Sequence, residues 1–219
     1  MNTQTANELR RKGAAFCLLA APLLMLAGDA LRLWAGARHT WLVTFKLAFA
    51  LFVGAALALV RLSGERAERA ALLGGALAVV GCLAGVGIVT AGAVLDSLET
   101  AGLDEHATRA VEAAFARDGV GGYILLYPLP GLAFPLGFLV LAYALRRARA
   151  ATTAAAALIA AGALLFPVGR IGGFGWAVIG SGLAMTLGLG HVALGVLRAG
   201  AAGRRRLPEP AEAHAASAT

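Results

Sequence analysis

The chain has 219 residues, of which 59% are hydrophobic and only 14% charged, and its mean hydropathy is +0.77. A soluble domain carries about 25% charged residues, so a water-soluble globular enzyme and a disordered regulator are both excluded. The net charge of +7 would suggest nucleic acid in a soluble protein. Here the basic residues sit between apolar runs, the distribution a bilayer imposes, and no nucleic-acid partner is expected.

A helix needs about 20 apolar residues to cross the hydrocarbon core. Six runs qualify: Ala14–Ala35, Trp41–Val60, Ala70–Leu95, Val120–Leu145, Ala151–Val168 and Gly173–Leu197. Backbone in lipid must satisfy its own hydrogen bonds, so all six are expected to be helices. The fold class is therefore an all-α polytopic transmembrane helix bundle of about six spans. Residues 1–13 form an N-terminal segment, 14–198 the membrane domain and 199–219 a tail.

The first run follows Arg10, Arg11 and Lys12, as in a signal peptide. It is long for that role and no A-x-A site follows, so it reads as a retained span. Cys17 and Cys82 lie at depths differing by roughly 10 Å in their spans, too far for a disulfide.

Asp29 and Lys46 stand well inside the first two spans, where charge is costly and therefore informative. Asp29 precedes Trp34 by five residues and Lys46 follows Trp41 by five. If both tryptophans mark one interface, Asp29 and Lys46 share a depth on antiparallel helices and form an ion pair. Arg32, one turn from Asp29, competes for it. Such a pair either fixes helix rotation or belongs to a polar site, and Lys46 alone can snorkel.

The third and sixth spans are rich in glycine. Gly81 and Gly85, four apart, and the stripe Gly182, Thr186, Gly190 are close-packing patterns that serve the bundle or a homodimer. The long connection 96–119 carries six acids, Asp96 among them. Within it Leu103, Ala107, Val111, Ala114 and Phe115 recur at helical spacing after Asp104 and Glu105, which predicts an amphipathic surface helix. That helix is a bilayer-resting connector, a lid or a docking element.

The fourth span opens with Tyr123, Tyr127, Pro128, Pro130 and Pro135. Three prolines in eight residues predict irregular backbone, which membranes tolerate where protein or water covers it. Arg170 is expected in a tight connection from Phe166 to Trp176, as an interfacial anchor or a ligand contact. In the last span His191 is either a hydrogen-bonded structural residue or a proton relay. His39, His106 and His214 do not match its depth, so a bis-histidine haem is not expected.

The basic residues orient the chain. Arg10, Arg11, Lys12, Arg61, Arg66, Arg69, Arg146, Arg147, Arg149, Arg198 and Arg204–Arg206 fall on one side, against Arg32, Arg38, Arg109, Arg117 and Arg170 on the other. That alternation puts both termini in the cytoplasm. Three spans on each side of the long connection permit an inverted repeat, although the halves do not align. The tail, Ala/Pro/Glu-rich after its arginines, is expected to be disordered and to anchor the last helix to anionic lipid.

Asp29, Arg32, Lys46, Asp96, Tyr123, Tyr127 and Arg170 all fall toward the outer side, where they suggest an outward-facing polar cleft. No HExxH, paired intramembrane aspartates, GxSxG or phosphate loop occurs, so neither an enzyme nor a cofactor is expected. The stretches Ala21–Arg32 and Leu165–Ile171 resemble small polytopic bacterial membrane proteins of unknown function. That resemblance implies a helical bundle in the cytoplasmic membrane and no particular activity. Three functions stay open: binding or moving a small ligand or lipid at the cleft; a non-catalytic structural or assembly subunit, with glycine-rich helices meeting a partner; and an intramembrane enzyme, which would need convergent nucleophile and base groups that the sequence does not display.

Overall fold

The computed structural model describes residues 3–102, 105–117 and 128–204. It is built of helices α1 (Thr3–Ala35), α2 (Arg38–Ser63), α3 (Glu68–Thr100), α4 (Glu105–Arg117), α5 (Pro128–Arg147), α6 (Thr153–Gly172) and α7 (Gly175–Arg204), with a 3-10 turn at Glu65–Ala67. Among the described residues there is no strand. Five helices are long and apolar enough to cross a membrane: Thr5–Ala35, Arg38–Ser63, Glu65–Thr100, Thr153–Gly172 and Gly175–Ala199. The protein is an all-α membrane bundle.

Each long helix packs on its neighbours in sequence, and α1 closes on α7, so α1, α2, α3, α5, α6 and α7 form a ring. Apart from the stretch between α3 and α5, which carries α4, the connections are short because antiparallel neighbours need little chain. Gly36 and Ala37 join α1 to α2, and Gly173 and Phe174 join α6 to α7. Gly173 takes the left-handed φ of +74° that ends α6. At the other end of α6, Thr152 caps the helix by accepting the Ala155 N–H at 3.2 Å.

The ring interior is filled by Phe45, Phe52, Phe134, Phe138, Leu18, Met25, Leu141, Ile159, Met185 and Leu189, all fully buried. Leu19, Leu23, Leu47, Leu57, Leu72, Leu83, Leu136, Leu164 and Leu187 instead project outward, exposed. Such a perimeter suits lipid rather than water.

Glycines set the spacing of the ring. A Cβ on Gly81 would strike the Phe134 backbone of α5, and one on Gly137 would strike the Ala78 backbone of α3. The two glycines let α3 and α5 cross at backbone contact. Gly85 faces the Phe49 ring, Gly182 meets Leu26 of α1, and Gly188 meets Ile159 of α6. Both predicted glycine stripes thus bear on helices of the same chain. Ser181 Oγ donates to the Gly162 carbonyl at 2.8 Å, a buried bridge from α7 to α6.

The proline-rich stretch does not break the helix. Pro128 and Pro130 occupy the first turn of α5, where a backbone N–H has no intrahelical partner to lose. Pro135 lies inside the helix and removes one hydrogen bond of the ladder. Pro167 likewise lies inside α6, which runs on to Gly172 rather than stopping at Val168. Arg170 is consequently a helical residue, in the last turn of α6.

The expected helix in the long connection is α4, which packs on α3. Tyr123, Tyr127, the start of the fourth span at Val120 and the tail beyond Arg204 lie outside the described residues.

Candidate functional site

Asp29 lies six residues before the end of α1 and is 2% exposed. Its carboxylate accepts a fork of two hydrogen bonds from Arg170, Nη2 to Oδ2 at 2.8 Å and Nη1 to Oδ1 at 3.3 Å. The Trp41 indole N–H adds a longer bond to Oδ1, at 3.4 Å. A planar guanidinium matches a carboxylate in this two-point way, which lysine cannot do. The Arg170 guanidinium is also held between two rings, 4.7 Å from the Phe45 centroid and 4.5 Å from that of Phe166.

This arrangement corrects the expected Asp29–Lys46 pair. Trp41, Phe45 and Phe49 recur every four residues on α2 and turn one face of that helix inward. Lys46 is one residue past Phe45, about 100° around the helix. It makes no ion pair with Asp29 or with any other described residue. Arg32 does not bind Asp29 either; its guanidinium lies over the Trp41 ring, 4.3 Å from the centroid. Trp41 is itself half-buried and turned into the bundle, whereas Trp34 is 79% exposed.

The pair closes one side of a cavity of about 460 Å³ at the end of the ring where α1 meets α2 and α6 meets α7. All six ring helices contribute to its wall: Asp29, Arg32 and Leu33 from α1; Trp41, Phe45 and Phe49 from α2; Gly85, Ile88 and Val89 from α3; Gly131 from α5; Phe166, Pro167 and Arg170 from α6; Val178 from α7. The ring contacts continue inward, Phe49 to Phe134 at 5.7 Å and Phe134 to Phe166 at 4.7 Å between centroids. The site is an aromatic box with one ion pair and one further arginine at its rim.

Of the cleft residues named from sequence, Asp29, Arg32 and Arg170 line this cavity, whereas Lys46 and Asp96 do not. Asp96 belongs to a neighbouring surface cluster. Its Oδ1 is 3.3 Å from Arg38 Nε, its Oδ2 3.9 Å from His39 Nδ1, and Arg38 Nη1 reaches Glu99 Oε2 at 3.3 Å. The cluster ties the start of α2 to the end of α3. Phe45, Phe49 and Phe166 went unnoticed as site residues, although the four-residue spacing after Trp41 was a usable signal.

His191 sits at the opposite end, exposed on α7. No hydrogen bond joins it to another described residue. It stands between a groove shared with Lys12 and Phe16 of α1 and a second one lined by Arg149 and Thr152. Among the described residues no three His, Cys, Asp or Glu side chains converge.

No family model, curated protein or solved structure matches the chain.

Proposed function

We propose that the protein binds, and by extension moves, a small apolar ligand or lipid in the cavity beside Asp29 and Arg170. In this reading it is a six-span protein of a bacterial cytoplasmic membrane, with both termini in the cytoplasm and the cavity on the outer side. The observation that carries it is a cavity of about 460 Å³ walled by all six ring helices. Ligand sites are typically apolar hollows of ~300–1,000 Å³ with a few convergent polar groups. The alternation of arginine along the chain supports the orientation.

A second reading has its own support. Both carboxylate oxygens of Asp29 are engaged by Arg170, so the pair also suits a pure structural brace. The protein would then be a non-catalytic assembly subunit with a membrane partner. Native mass spectrometry of protein purified in mild detergent, with an absorption spectrum, separates the two. A stoichiometric small mass on the chain supports the binding reading. A bare chain that co-purifies with a second membrane protein supports the assembly reading and overturns the first.

A further inference from the structure

We infer that the cavity takes a single-chain amphiphile with one negative charge, its head on Arg32 and its chain among the aromatic rings. This rests on the binding reading above and names the ligand class.

The first argument is charge. Three ionised groups line the cavity, Asp29, Arg32 and Arg170. Asp29 pairs with Arg170 at 2.8 Å and also attracts Arg32 through space, so one acid faces two arginines and the cavity keeps one net positive charge, with Arg32 outside the ion pair and Arg170 Nε buried without a partner among the described residues. The face of the Arg32 guanidinium rests on Trp41, and it has no hydrogen-bond acceptor among the described residues. Stacking uses the face of a guanidinium and leaves its in-plane N–H donors for an oxyanion. Arg38, nearby, is already matched by Asp96 and Glu99.

The second argument is position. Arg32, Trp41, Ile88 and Val89 also line a second hollow of about 400 Å³ that runs along α3 past Gly92 to Leu95. Arg32 therefore stands at the junction of two hollows, the second of them bounded by α2 and α3. Inward of Arg32 the side-chain walls are Phe45, Phe49 and Phe166, and the one side-chain acceptor among the lining residues is the engaged Asp29.

These features discriminate between ligands. A cation would meet a net positive rim, and an uncharged lipid would leave Arg32 without a counter-charge. A small inorganic anion would satisfy Arg32 and leave the aromatic volume unfilled. A long-chain carboxylate satisfies both.

The test uses fluorescence. Trp34 and Trp176 are 79% and 68% exposed and see the micelle, so Trp34→Phe with Trp176→Phe leaves Trp41 as the reporter. A dibrominated long-chain fatty acid is titrated in mild detergent against the alcohol of the same chain, since bromine quenches a ring it touches. We expect saturable quenching by both, with the acid about tenfold tighter, the value of one charge-assisted hydrogen bond. Arg32→Gln, at an exposed site without hydrogen bonds, should bring the acid to the level of the alcohol. Equal saturable quenching by acid and alcohol would overturn the charged ligand class while leaving the binding reading in place. A preference for acid that survives Arg32→Gln would overturn the role of Arg32. Quenching by neither probe would overturn the amphiphile itself, and retained mass on the native protein would still decide the binding reading separately.

Discussion

Asp29 and Arg170 are 141 residues apart and meet in a two-point ion pair across the ring, α1 to α6. Their helices are not neighbours: α7 lies between them on one side, and α2, α3 and α5 on the other. The pair is thus a cross-brace at the end of the bundle where the cavity lies. Two aromatic rings cover the cation and an indole N–H supports the anion, so little of either charge is left to water.

Breaking one half of that brace should cost more than removing both. Asp29→Asn is expected to destabilise the protein by about 3 kcal/mol, the low end for stranding a buried partner, because the Arg170 side chain keeps 20% of its exposure. Asp29→Asn with Arg170→Met should recover a substantial part of that loss. Lys46→Met should leave the melting temperature where it is. Thermal melts in detergent read all three, and equal melting of the single and double variants would contradict the pairing energy.

The α3–α5 crossing predicts a contrast between two glycines. Gly81→Ala puts a methyl group into the Phe134 backbone and should cost about 1–3 kcal/mol, or prevent a monodisperse preparation. Gly195→Ala meets nothing within 4 Å and should be neutral or stabilise by up to about 1 kcal/mol through helix propensity. Size-exclusion profiles and melts of the two variants, side by side, check the contact.

Ser181→Ala removes the only side-chain bridge in the α6–α7 contact among the described residues and leaves the Gly162 carbonyl to its helix bond alone. The expected cost is about 1 kcal/mol, seen as a lower melting temperature with an unchanged helix signal.

The orientation is open to labelling. In a background with Cys17→Ala and Cys82→Ala, Gly102→Cys should react with an impermeant maleimide on intact cells. Arg66→Cys should react only after the cells are opened. The reverse pattern would invert the topology and place the cavity on the cytoplasmic side.

Much of this fold is legible in the sequence, because bilayer thickness translates directly into run length. Five expected spans correspond to helices of the necessary length and hydropathy. Helix ends were less legible. Pro128, Pro130 and Pro135 read as irregular backbone, but a proline costs little in a first turn and removes one hydrogen bond within a helix. The site was half legible. Asp29 announced itself as a charge where lipid excludes charge. Its partner did not, because the order of helices around a ring leaves no mark on any one of them. Rotational phase was available and would have removed Lys46: Trp41, Phe45 and Phe49 define the inward face of α2, and Lys46 is off it.

The most direct test of the cavity is native mass spectrometry of the wild type beside Gly131→Leu. Gly131 lines the cavity, and a Cβ there meets only Ile171, at an ordinary contact distance of 3.7 Å. The account predicts a stoichiometric small mass on the wild type and its loss from Gly131→Leu, with the melting temperature of the emptied protein preserved. A wild type without bound mass, or the same mass retained by both proteins, would contradict it.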